Sequence, residues 1–413
     1  MSIFLALALA PVALANGQTT HIWITRHALE HLPDGELRDL LQDPANEAAL
    51  IHGSMFPDGG YAIDHGYGEV GHWEPFQARY LAWIQAHHPA PFDDEGAQHV
   101  AFLLGMGSHG MADQTFDAFY FNWSSIKDAE YGWAAGDSFD EASDFVWAAQ
   151  TGAQTVPDRW MPDTTLVELY AEHGVEVDTQ SLSRGQGWLE TAVGMVGLGS
   201  VNEPLVQSYA EQFPWGSAHL ADESLPGTPA CEGVWVARYW ESLYARLTDT
   251  ADPRSVLGTW PLDGGFEHPL DHTTPEARVS FVFPVGAAED TASAEWFRLE
   301  TTDGDAVPFD TWLYYGRSSH VVHLVPEGDW LADTDYVATA LAGLPYRDGS
   351  ELAEDSAFGF STRDAPVPAA GGTDKTAPDN TGCATATGRS SGWSMALGAL
   401  GVLVRRRKRA PHR

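Results

Sequence analysis

The segment Ala101-Phe-Leu-Leu-Gly-Met-Gly-Ser-His-Gly-Met-Ala-Asp113 restricts this chain more than any other. Its apolar residues fall around nearly the whole circumference of a helix, and such a helix has to be enclosed by others. Gly105, Gly107 and Gly110 each lower helix propensity by up to ~1 kcal/mol. That cost is tolerated where a second backbone must come close. The same segment carries His109 and Asp113 four residues apart, on one helical face. Such a pair is in most proteins a solvated hydrogen bond or a capping charge pair. Inside an enclosed helix both groups must be satisfied, and a metal ion does so most completely.

Three upstream elements offer partners: His21 in Thr20-His-Ile-Trp-Ile24, Asp58 in Phe56-Pro-Asp-Gly-Gly60, and His72 in Gly71-His-Trp-Glu-Pro-Phe76. Cys231 and Cys383 are the only cysteines, which excludes a disulfide scaffold and a thiolate zinc site. A metal must therefore be held by imidazole and carboxylate, a nitrogen and oxygen shell suited to Zn²⁺.

At 413 residues the chain has room for two to three domains. Residues 1–15 form an apolar run ending in Ala13-Leu14-Ala15, which reads as a signal peptide and implies export. Residues 16–250 show helical spacing, as in Val236, Tyr239, Trp240, Leu243 and Leu247. Similar stripes run through 24–41, 73–84 and 99–113, so this region is expected to be a mainly α-helical bundle.

From 251 to 363 the pattern changes to short β-branched and aromatic runs at 279–283, 296–299, 311–314, 320–325, 336–340 and 358–361, punctuated by Asp303-Gly304 and Asp348-Gly349. These predict an all-β sandwich, and the order of signals resembles bacterial Ig-like modules. Residues 364–391 have a linker's composition. Residues 392–413 pair a short apolar stretch with a basic block, Arg405 to Arg409. The order of linker, Gly-Cys, apolar stretch and Arg cluster resembles MYXO-CTERM sorting tails, which implies a sorting protease and a cell-surface or extracellular location.

The blocks Thr20-His-Ile-Trp-Ile, Phe56-Pro-Asp, His72-Trp-x-Pro-Phe and Phe102-Leu-x-Gly-x-x-Ser-His-x-x-x-Asp113, in this order, resemble the zinc-dependent phospholipase C family. Within it they look like the N-terminal domain of glycosylphosphatidylinositol-specific phospholipases D. The resemblance implies a phospholipase C/nuclease-like bundle. It also implies that His21, His72, His109 and Asp113 ligate zinc, with Asp113 bridging two ions, and that Asp58 is a ligand or general base beside the attacking water. The family's further zinc site uses two imidazoles and an acid. Here Asp117 and Trp133 stand at the imidazole positions, leaving Asp137 (or Asp140 or Glu141) as the acid, so a third ion is absent, harder, or held by carboxylates alone.

The implied activity is hydrolysis of phospholipids or related lipid phosphodiesters by metal-activated water, at the membrane surface of a target or of the cell's own envelope. Two other readings stand beside it: a single-strand nuclease or nucleotidase of the related zinc superfamily, and a catalytically degenerate surface adhesin. Lys plus Arg number 22 and Asp plus Glu 58, a net charge of −36. A field of that sign disfavours nucleic acid as a partner.

Other residues carry plainer expectations. His27 and His31 are read as solvent-facing, and His87 and His88 as favourable charges at a helix end. Most of Trp23, Trp73, Trp83 and Trp133 are read as core rather than a lipid-facing rim. His320 and His323, three apart on a strand, are expected on opposite faces and not as a metal pair.

Overall fold

The computed structural model describes residues 16–131, 139–250, 254–287, 293–313 and 319–365. The signal-peptide and sorting-tail readings, Trp133 and Asp137 lie outside the described residues. Thirteen helices come first among those described: α1 Gln18–His31, α2 Glu36–Gln42, α3 Pro44–Met55, α4 Tyr67–Gly71, α5 Glu74–His87, α6 Asp94–Thr115, α7 Asn122–Lys127, α8 Phe139–Thr151, α9 Asp163–Glu172, α10 Thr179–Gly199, α11 Glu203–Gln212, α12 Pro214–His219 and α13 Pro229–Leu247. Seven strands follow: β1 Gly258–Trp260, β2 Val279–Ala287, β3 Phe297–Thr301, β4 Phe309–Leu313, β5 Ser319–Pro326, β6 Asp335–Ala340 and β7 Ser356–Ser361.

Local chemistry sets many of these boundaries. Asp43 accepts from Ala45 N at 2.9 Å and Pro44 opens α3. Asp93 starts α6 through Gly96 N at 2.7 Å. The stripe expected over 24–41 is broken in two, because Pro33-Asp34-Gly35 ends α1 and Gly35 takes φ 159° before α2. α1 has no capping side chain of its own. Asp144 of α8 supplies the cap from outside, accepting from Thr20 N at 2.8 Å and Thr19 N at 3.3 Å.

α6 is the axis of the bundle, with α1, α3, α5 and α13 around it. Every residue from 99 to 115 is buried, as its composition requires. Where α3 crosses α6, a side chain on Gly53 would collide with the carbonyl of Phe102, and one on Gly105 with that of Leu50. The two helices therefore touch backbone to backbone. Past Thr115 the axis continues as a π-helix, Phe116–Phe121. The α13 stripe buries Val236, Tyr239, Trp240, Leu243 and Leu247 to 3 % exposure or less.

The strands form two antiparallel sheets, ordered β1-β2-β5-β4 and β3-β6-β7. β1 was not expected: three residues ending before Pro261 show no period. Phe281 of β2 meets Phe297 of β3 and Phe358 of β7 at ring separations of 5.5 and 5.3 Å, so the sheets share one core.

The other face of the larger sheet lies on the helices. Leu257, Val282 and Val321 belong to the same buried cluster as α6 and α13. Gln114 of α6 accepts from His320 N at 2.9 Å, Glu74 of α5 from Gly286 N at 3.1 Å, and Lys127 pairs with Glu276 at 2.7 Å. His320 and His323 both reach the helices, at Tyr239 and Phe119. The ladder between β2 and β5 is irregular between Val282 and Ala287, so strict alternation does not carry through to His320.

His27 and His31 are corrected as well. They are half-buried, with Nε2 atoms 3.1 Å apart, and the His27 ring lies over Gly233 of α13. Trp23, Trp73 and Trp83 are partly buried, none of them an exposed rim.

Candidate metal centre

Five of the residues singled out from sequence meet in one place. α1 brings His21, the 3₁₀ turn Phe56–Gly59 brings Asp58, the end of α4 brings His72, and α6 brings His109 and Asp113. His21 Nε2 stands 3.1 Å from Asp113 Oδ1 and His109 Nε2 stands 3.2 Å from Asp113 Oδ2. His72 Nε2 lies 3.1 Å from Asp58 Oδ1 and 3.5 Å from Asp113 Oδ2. His21, Asp58 and His109 form one group whose ligand atoms lie within 4.8 Å of one another, and His72, His109 and Asp113 form a second. Asp113 and His109 thus connect the two halves.

The glycine contacts explain this convergence. Backbone contact between α3 and α6 brings Ser54 O within 2.8 Å of His109 Nδ1. His72 Nδ1 is likewise fixed on Gly68 O at 2.5 Å. A ring whose Nδ1–H is donated to a carbonyl presents an Nε2 lone pair when neutral. The Nε2 atoms of His72 and His109 then face each other at 3.0 Å, with acceptor carboxylates on either side. A proton or a cation has to sit among them.

The electrostatics say the same. Burial opposes a proton on His109, but Asp113 and Asp58 outweigh it and hold its pKa up to about 10. Burial raises Asp58 and Asp113, yet the surrounding imidazoles win, bringing Asp58 down to about 2 and Asp113 well below the carboxylate range. Burial and His109 keep His21 neutral in spite of Asp113. Both ring nitrogens of His21, and Asp113 Oδ1, are buried without a hydrogen-bond partner, although His21 Nε2 and Asp113 Oδ1 approach to 3.1 Å. A divalent cation would satisfy these orphaned atoms together. The cluster opens at His72 and Asp113, 6 % and 9 % exposed, and is closed elsewhere.

Asp117, Asp140 and Glu141 are not in either ligand group. Asp117 is half-buried in the π-helix, and Glu141 accepts from Tyr209 at 2.7 Å on the surface. Burial raises the Asp140 carboxyl, and the charges of Asp117, Asp113 and Asp58 raise it further.

Two neighbours escaped the sequence reading. Gln18 donates to Asp58 Oδ2. It lies one turn before His21, a spacing that could have revealed it. Glu232, fully buried, accepts from Thr115 Oγ1 at 3.0 Å and Asn16 Nδ2 at 3.5 Å. It sits four residues before Val236 on the apolar stripe, and an acid on such a stripe was the available signal.

Residues 20–116 match the model of a family described as zinc dependent phospholipase C. The phosphatidylinositol-glycan-specific phospholipase D of Bos taurus is 35 % identical over 128 residues, covering 29 % of this chain and 14 % of that protein. That of Dictyostelium discoideum is 25 % identical over 246 residues, covering 55 % of this chain and 25 % of that protein. The match to these relatives thus takes in a quarter of their length or less. Among solved structures, the alpha-toxin of Clostridium perfringens aligns with 83 % of this chain and 99 % of its own at 11 % identity, with a TM-score of 0.21, too low to carry an argument.

Proposed function

We propose that this chain is a zinc-dependent phosphodiesterase acting on phospholipids or glycolipid anchors, exported to the cell surface or beyond. The observation that carries the reading is the convergence of three imidazoles and two carboxylates with more lone pairs than protons to fill them. His21, His72, His109 and Asp113 would hold zinc, with Asp113 shared, and Asp58 would be a further ligand or the base. Bound zinc supplies charge for the anionic phosphate and a water made acidic enough to ionise near neutral pH.

The chain's own residues do the rest. Gln18 holds one oxygen of Asp58 and the other faces His72 Nε2 at 3.1 Å, which places that carboxylate beside the zinc ligands for taking a proton from water during attack on phosphorus. Ser54 O and Gly68 O orient the rings of His109 and His72, so the ligand nitrogens are set before any cation arrives.

A lipid surface suits the outer side of the helix that packs on the Asp58 turn. α10 packs on that turn through Gly185, which lies against Gly59. Its outer side shows Trp188, Met195, Leu198 and, just beyond its end, Val201, which are 44 %, 37 %, 78 % and 82 % exposed. Apolar groups so exposed in a chain of charge −36 fit a neutral lipid interface better than a polyanion, and the nuclease reading is weaker for the same reason. No described helix is long and apolar enough to cross a membrane.

The C-terminal region we take as an Ig-like sandwich. Lettering β1 to β7 as A to G gives sheets ABED and CFG, the constant-type order. The test of the function is turnover of phosphatidylcholine vesicles and of a glycolipid-anchored protein by the full chain, before and after chelation. Activity lost with chelator and restored by zinc supports the proposal. Zinc-dependent cleavage of single-stranded DNA with no lipid turnover overturns it in favour of the nuclease, and zinc binding without either activity favours the adhesin.

A further inference from the structure

α6 has a second set of metal-type side chains at its other end. Glu95 and His99 stand four apart on its first turns, on one face. His88, the residue that ends α5, leans across the connecting loop to join them. One ligand atom from each of His88, Glu95 and His99 lies within 4.8 Å of the other two. Ten residues separate His99 from His109, about 15 Å along the helix, so this cluster is apart from the centre described above.

The surroundings hold these rings as a ligand site would. His88 Nδ1 meets Asp93 Oδ1 at 3.2 Å, and His99 Nδ1 meets the Tyr80 hydroxyl at 2.7 Å. Each ring is thereby oriented through one nitrogen, leaving Nε2 for an ion, the arrangement found around histidine ligands. Among the described residues neither Nε2 has a hydrogen-bond partner. The rings stack with an interplanar angle of 27° and centroids 5.2 Å apart. Trp83 contacts both, at 5.7 and 4.9 Å.

Gly96 makes the approach possible, since a side chain there would come within 2.8 Å of His88 Cβ and 2.9 Å of Asp93 Oδ1. His88 is half-buried, His99 buried and Glu95 exposed, so the site is fixed on one side and open to solvent on the other. The expected role of His88 as a helix-end charge is better met by His87, whose Nδ1 lies 2.8 Å from Trp83 O in the last turn of α5.

We infer that His88, Glu95 and His99 form a separate zinc site that clasps the end of α5 to the start of α6. Two imidazoles and a carboxylate make a borderline donor set, with water completing a tetrahedron. Because the ligands span two helices and the loop between them, binding favours the folded chain and raises its melting temperature. The inference does not rest on the proposed phosphodiesterase activity.

The test is zinc content by elemental analysis after dialysis of the full chain against micromolar zinc, together with melting temperature with and without the metal. The variants are His88→Ala with Glu95→Gln, and Glu95→Gln alone. Both leave buried His99 and its Tyr80 contact in place. The double variant is expected to bind one zinc fewer per chain than the parent, to gain less in melting temperature from added zinc, and to keep the parent's melting temperature in chelator. Glu95→Gln is expected to weaken the same ion by tenfold or more. Equal zinc content and an equal zinc-induced shift in parent and double variant would overturn the site.

Discussion

Two buried histidines of the sheet region and His109 of the helical region behave in opposite ways. In the sheet region His268 and His323 are 4 % and 1 % exposed, and burial pushes their pKa values down to about 4 and about 3. Each has one neutral partner: Ala277 O at 3.1 Å for His268 and Ser280 Oγ at 2.7 Å for His323. In the helical region His109 is as buried, yet two carboxylates hold it up to about 10. An unpartnered nitrogen does not separate the cases, since His323 Nε2 has none either. What distinguishes them is company. A ring alone in a core stays neutral and packs, whereas rings gathered around acids form a well for a cation.

The largest expected effect removes the acid at the centre of that well. Asp113→Ala is expected to lose bound metal and activity together, with turnover falling at least about a thousandfold, the equivalent of about 4 kcal/mol of lost transition-state stabilisation. Elemental analysis beside a lipid turnover assay checks it. Retained zinc in this variant would break the contrast at its root.

Asp58→Asn sharpens the same comparison. It preserves shape and the Gln18 neighbour but removes the basic oxygen pair, so most of the metal should stay while turnover drops by about 10² to 10⁴. Equal metal loss in both variants would make Asp58 a structural ligand instead of a base.

The smallest effect lies in the sheet. The folded pKa of His323 is about 3, against about 6.5 in the unfolded chain, so between those values the unfolded state binds more protons and stability falls as pH drops. His323→Phe keeps the ring packing on Trp312 and Phe119 and removes that titration. Chemical denaturation at pH 7 and pH 5 is expected to show a loss smaller by about 2 kcal/mol than in the parent, with zinc content unchanged. An unaltered pH dependence would mean that burial alone does not discharge this ring.

Much of the central site was legible because its residues come embedded in constraint. An apolar helix with glycines at 105, 107 and 110 announces close packing, and His109 and Asp113 fall on one face of it. His21, Asp58 and His72 stood in short motifs whose order carried the resemblance. The sequence was mute where a contact depends on what lies across a loop. His88 and His99 are separated by a stretch containing Pro89 and Pro91, with no period to join them. The strand pattern of 279–283 told which residues alternate, but not that helices would cover the second face. The split of 24–41 was visible in Pro33 and Gly35, two breakers that the apolar stripe overrode.

The hydrogen bond from His320 N to Gln114 has a lasting implication. Gln114 follows Asp113 directly, so the residue next to the shared carboxylate is tied to β5 by its side-chain oxygen, and Val282 and Val321 belong to the same apolar cluster as α6 and α13. Cutting the chain after α13 would remove that tie and expose the apolar helix surface that Leu257, Val282 and Val321 cover. Transplanting either half onto a foreign partner therefore calls for a rebuilt seam at Gln114, Glu74 and Lys127.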